Sequence, residues 1–228
     1  MQPQSGIGAW YERATFILNC VHGVGQENLP PVPVEELVTA EEYGRYRNHR
    51  DSGLPEVIRV NPQGPYPELT FVHEIGHYLD SQALFRNTEI RPTEELKRIR
   101  LIPDAYVSTT DLMQVWRDVI DASQSSQILT SRSAEKCVQI DDQGTMVCVD
   151  EEKRDRLIEY PEFFARSYAQ YIVLKSNDDL LLSQLKLRRS QPEEIVLPRQ
   201  WSDEDFIPIA EAMEDIILSH CWMTLNQD

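Results

Sequence analysis

The chain carries His73-Glu74-Ile75-Gly76-His77, an HExxH pattern within a stretch, Thr70 to Asp80, whose composition predicts a helix. Residues four apart on a helix lie about 40° from one another around the axis, so the two imidazoles project from one face, a turn apart. Placed that way they can share one zinc ion at roughly 2.0–2.1 Å each. Glu74 sits about 100° further round, off the ligand stripe but within reach of a water on the metal, the position of a general base. Asp80 comes back to the ligand face, where a carboxylate can accept an imidazole N–H or orient a neighbouring group. Gly76 lies near the same face and lets another element approach closely.

A second segment offers the missing ligand. In Tyr160-Pro161-Glu162-Phe163-Phe164-Ala165-Arg166-Ser167-Tyr168-Ala169-Gln170-Tyr171, Pro161 suits the first turn of a helix, and Phe164, Tyr168 and Tyr171 gather on one side at helical spacing. Glu162 projects almost opposite, with Ala165 and Ala169 on its own face. A carboxylate on a face cleared by alanines can reach a neighbouring helix, and Gly76 supplies the matching gap. Glu162 is therefore the expected third ligand, giving a His₂Glu set with the fourth position left to water. A structural site usually fills all four positions with protein ligands and needs no base at Glu74, which favours catalysis.

The segments HEIGHYLD and PEFFARSYAQY together resemble the gluzincin peptidases of the anthrax lethal factor and Mlc titration factor A group, which join HExxHxxD to a glutamate opening an EFFA-like helix. The resemblance covers about twenty residues in two segments. It implies an α+β, zincin-like metallopeptidase domain, mostly helical with a small sheet beside the HExxH helix. It implies hydrolysis of peptide bonds, with zinc on His73, His77 and Glu162 and with Glu74 as base. The group also places an oxyanion-stabilising tyrosine several residues before the ligand glutamate. Here the position seven before Glu162 is Asp155, and Tyr160 is the nearest substitute. The alternative, from a different class, is a zinc-binding structural or interaction module of a phage or toxin assembly, with little or no catalysis.

A formal net charge of −16 argues against nucleic acid or an anionic membrane surface as partner, which leaves a peptide or protein substrate. Oligomeric state has no signature in the sequence. With 41% hydrophobic residues in 228, the chain can build a substantial core. It shows neither a long apolar run nor a signal-peptide pattern, so a soluble, cytoplasmic protein is expected, with delivery as a toxin or within a phage particle left open. Cys137 and Cys148 would face each other across a hairpin turning at Asp141-Asp142-Gln143-Gly144, and in that compartment both are expected as reduced thiols.

The positioning elements follow in order. Residues 7–21 predict a helix packed on the body, and Leu29-Pro30-Pro31-Val32-Pro33 an extended connector. Residues 1–34 thus form an arm ahead of a catalytic domain at 35–228. Glu35 to Arg50 has helix-forming composition, with His49 on the surface. Glu56-Val57-Ile58-Arg59-Val60 is a strand, and Val57 to Val60 either offer an edge to an extended substrate or are ordinary sheet. A helix start is expected at Thr93, and another helix from Thr110 with Leu112, Val115, Trp116, Val119 and Ile120 as its core stripe. Residues 124–133 look like a polar, serine-rich loop, so about 84–155 is an insertion between the two halves of the site. Two amphipathic helices close the chain, at 178–189 and from Ser202 through Ile217, and His220 and Cys221 are expected at the surface rather than on a metal.

Overall fold

The computed structural model describes residues 2–3, 7–22, 29–39, 42–84, 89–90, 107–131, 137–139, 144, 146–148 and 155–218. The helix start expected at Thr93 and the His220–Cys221 pair lie outside them. The architecture is α+β, mostly helical with one small sheet beside the HExxH helix.

That sheet holds Gln2–Pro3 (β1), Pro33–Glu36 (β2), Gly44–Asn48 (β3) and Pro55–Val60 (β4), in the order β1-β2-β4-β3. The β-branched run of β4 buries Val57, Ile58 and Val60 and takes β2 in parallel on one side and β3 antiparallel on the other. Two expectations are corrected here. The helix expected over 35–50 is instead β2, a loop and β3, because pairing with β4 outweighs local propensity: Glu35 lies opposite Arg59, and their side chains form an ion pair at 2.8 Å. Moreover β4, being interior, has no free edge for a substrate. On the side of β4 away from β2 the edge strand is β3.

The longer helices are Ala9–His22 (α1), Pro67–Leu79 (α2), which packs on β3 and β4, Thr109–Ala122 (α3), Gln124–Ser131 (α4), Tyr160–Ser176 (α5), Asp179–Arg189 (α6) and Asp203–Leu218 (α7). The HExxH helix, α2, is the centre of the core. It starts on Pro67, whose missing N–H costs nothing in a first turn, and it buries Leu69, Phe71, Val72, Ile75 and Leu79. Trp10 and Tyr11 of α1 meet Phe71 edge to face at 5.6 and 5.4 Å, and His22 Nε2 lies 2.8 Å from the Tyr168 hydroxyl of α5. The N-terminal helix and β2 therefore share the core of the HExxH helix, so residue 34 divides no cores. On α5, Phe164, Tyr168 and Tyr171 are buried as expected, and Asn177 closes the helix in the left-handed conformation at φ 48°.

The remaining corrections have local causes. Residues 124–131, expected as loop, form α4 because Asp205 of α7 supplies its cap: the carboxylate accepts Gln124 N–H and Ser125 N–H, each at 2.9 Å, and the Ser125 hydroxyl at 2.6 Å. On α3, Met113, Trp116 and Ile120 face the core, whereas Val115, expected among them, is exposed. Cys137 and Cys148 stand opposite each other in their hairpin and are joined by a disulfide rather than left as thiols, since the register places the two side chains directly across from one another.

Candidate metal centre

Two helices build the site through one close contact. A Cβ added at Gly76 would lie 2.6 Å from the Ala165 Cα, so α2 and α5 touch backbone to backbone where glycine meets alanine. His73 lies one turn before Gly76, His77 directly after it, and Glu162 one turn before Ala165. The contact thus lays the carboxylate of α5 against both imidazoles of α2: Glu162 Oε1 is 3.5 Å from His73 Nε2, and Oε2 is 3.2 Å from His77 Nε2. The two rings stand nearly perpendicular, 4.8 Å between centroids.

This geometry suits a metal ion. Donors of a tetrahedral site with bonds of about 2.0–2.2 Å are separated by roughly 3.3–3.6 Å. The 3.5 Å separation falls within that range and the 3.2 Å one just below it, each to a different oxygen of Glu162, and one donor atom from each of the three residues falls within 4.8 Å of the others. Among the described residues, His73, His77 and Glu162 are the group that could hold a metal. Its electrostatics point the same way. Burial holds His73 down to about 4 against the pull of Glu162, so its ring is neutral and able to ligate. Burial also opposes charge on His77, but the hydrogen bond to Glu162 and the charges of Glu74, Glu162 and Asp80 outweigh it and raise this histidine. Glu162 is itself partly desolvated, yet the imidazoles and Arg166 keep it well below the usual carboxylate range. Of the carboxyl groups whose charges act on His77, it is Glu162 that is held ionised between the two imidazoles.

Glu74 points away from the ligand stripe toward β3. It is buried, a main-chain hydrogen bond from Tyr46 reaches its carboxylate, and a Cβ at Gly44 would come within 2.7 Å of its Oε1. Burial lifts its pKa to about 7, with the charge of His77 pulling the other way. The strand is held in place from the far end of α2, whose continuation Asp80–Leu84 is a π-helical turn. There Gln82 donates to the Gly53 carbonyl at 2.8 Å, and Asn48 donates to the Ser81 hydroxyl at 2.6 Å. Such π turns are frequent at functional sites.

The structure does not place the other two expected residues as the sequence suggested. Asp80 is buried where α2 ends, and its carboxyl is lifted to about 6 by that burial. Among the described residues it hydrogen-bonds neither imidazole and acts on His77 only through its charge. Tyr160, considered as an oxyanion donor, gives its hydroxyl to Asp121 of α3 at 2.9 Å, while Arg117 covers its ring at 5.0 Å. None of the three metal-binding candidates is among the main influences on that hydroxyl. Tyr160→Phe is therefore expected to leave kcat and KM of any peptidase activity within about twofold, removing only one exposed hydrogen bond. A fall in kcat of about a hundredfold at constant KM would put the hydroxyl back in the site.

One supporting residue has a local sequence signal of its own. Arg166, only 1% exposed, follows Glu162 by four on α5 and donates Nε to Glu162 Oε1 at 3.3 Å, with another N–H on the Leu157 carbonyl. A Glu–Arg pair at that spacing shares one helix face. Arg166 fixes the carboxylate from behind while leaving it turned to the imidazoles. The Gly76–Ala165 contact gives its own test. Gly76→Ala is expected to force the helices apart, costing about 1–3 kcal/mol in a thermal melt and weakening metal binding in parallel. Normal melting and normal affinity would show that the contact is looser than described.

Comparison of the chain with protein-family models, with curated proteins and with solved structures finds no match. Among the described residues, no helix is long and apolar enough to cross a membrane.

Proposed function

We propose that the protein is a zinc peptidase of the gluzincin type, a zincin-like domain with the metal on His73, His77 and Glu162 and with Glu74 as general base. The observation that carries this reading is the meeting of Glu162 with both HExxH imidazoles across the Gly76–Ala165 contact. A solvated, histidine-bearing surface helix would require none of it. The chemistry a bound zinc ion supplies is a water acidic enough to lose its proton near neutral pH, together with a Lewis acid for the substrate carbonyl.

The chain's own groups do the rest. Glu74 takes the water's proton and returns it to the leaving amine, and a carboxyl lifted to about 7 is well matched to a base that works near neutrality. His73 enters neutral, as a ligand must. Beside the base runs β3, the sheet edge, whose Gly44 and Tyr46 alternate away from β4, because Tyr43 and Asn61 form the neighbouring bonded pair at 2.8 Å. Glu74 itself holds the Tyr46 N–H at that edge, so an extended peptide laid along β3 passes the carboxylate, and the lack of a side chain at Gly44 leaves the carboxylate its space. The test is metal analysis of protein purified with zinc present. One zinc per chain is expected, and a stoichiometry near zero would overturn the reading.

A further inference from the structure

Arg188 is a partly buried cation near this site with no role in the chemistry above. It follows Gln184 by one helical turn on α6 and so shares the face by which α6 docks on α2. Gln184 fixes that face: its Oε1 accepts the Leu69 N–H at 2.9 Å, and its Nε2 donates to Glu68 at 2.5 Å. From there the guanidinium rests over Tyr66, 5.2 Å from the ring centroid, at the start of α2. Tyr66 in turn meets Tyr43 edge to face at 5.2 Å, one residue before β3 begins. Arg188 thus stands at the Gly44 end of the edge strand, and its charge is felt by His73, Glu74 and Arg166.

Its neighbours are committed where it is not. Arg166 is bound to Glu162, Arg199 to Glu194 at 2.7 Å, and Arg189 to Asp203 at 2.7 Å. Among the described residues Arg188 has no ion pair, and its Nε is buried with no hydrogen-bond partner. A chain with 38 acidic residues against 22 basic ones has carboxylates to spare, yet none is placed on this arginine. A desolvated N–H without an acceptor is costly, and a guanidinium fork is shaped for a carboxylate.

We propose that Arg188 is a substrate-binding residue that receives a carboxylate of the peptide, so that the site selects substrates carrying a negative charge at the Gly44 end of the edge strand. The charge comes from a free C-terminus or from an acidic side chain, the same chemistry from two sources. This inference rests on the peptidase reading of the same site, and the experiment separates the two.

Zinc-loaded Glu74→Gln protein, which should bind peptide without cutting it, is titrated calorimetrically with N-acetyl pentapeptides of Val, Leu and Phe. One pair differs only in a terminal carboxylate or carboxamide; a second set, all amides, carries Glu or Gln at each position in turn. At least one carboxylate member is expected to bind about 10–100-fold more tightly than its neutral partner. Adding Arg188→Gln should reduce that preference to within about twofold. Arg188→Lys should retain part of it, because the ammonium keeps the charge but loses the fork. Zinc content and thermal melting certify that each variant is folded. A preference that survives Arg188→Gln in folded protein, equal affinities within every pair, or no binding by any member overturns the proposal. Cleavage of the same peptides by the unsubstituted chain is scored separately. An Arg188-dependent preference without cleavage upholds the anion site and removes the peptidase reading, whereas cleavage with an Arg188-independent preference does the reverse.

Discussion

Glu74→Gln is expected to lower peptide turnover by at least about a hundredfold while zinc content stays at the level of the unsubstituted chain. The substitution keeps the shape and an oxygen for the Tyr46 N–H, and it removes only the proton acceptor. Glu74 is not one of the ligands, so metal binding has no reason to fall. Stability gives a second readout with a definite sign. In the metal-free protein, burial raises this carboxyl from an ordinary 4.5 to about 7, so the folded state holds the proton more tightly than the unfolded one. Stability is then lost as the pH rises from about 4.5 to about 7. Gln cannot ionise, so the metal-free variant should gain on the unsubstituted chain at pH 8 and not at pH 4, as followed by denaturant titration at both. Unchanged turnover would remove Glu74 as the base.

Glu162→Gln is expected to weaken zinc binding by at least about a hundredfold in a chelator competition, more than the 10–100-fold typical of losing a supporting partner alone. The amide can still accept from Arg166, so that this buried guanidinium is not stranded and the fold survives. Glu162→Ala removes the acceptor as well, and it should lose stability in addition to metal. Normal zinc affinity in the Gln variant would end the assignment of Glu162 as a ligand.

The parts of this site that were legible in the sequence are those whose signal is local. His73, Glu74 and His77 follow from helical spacing alone. Glu162 follows from a helix whose aromatic residues claim one side and whose alanines clear the other, with Gly76 as the complementary gap. The parts that were not legible depend on partners far along the chain. Residues 44–48 become a strand only because β4 is there to pair with them, and which strand forms the edge is a matter of sheet order. The serine-rich segment becomes α4 because Asp205, on another helix, caps it. Tyr160 was the nearest tyrosine by number, but Asp121 decides where its hydroxyl goes. Arg188 lies in the last turn of its helix, and its direction is set by the docking of Gln184 on α2. Arg166 is different: its spacing from Glu162 was readable, and the pairing rule for helices was enough to find it.

Peptide hydrolysis itself is tested most directly by digesting a proteome-derived peptide library with protein carrying one zinc per chain and counting new amino termini. A zinc peptidase leaves termini that disappear when the metal is chelated and return when zinc is restored; an uncut library from zinc-loaded, folded protein would contradict the peptidase reading and leave a metal-binding module in its place.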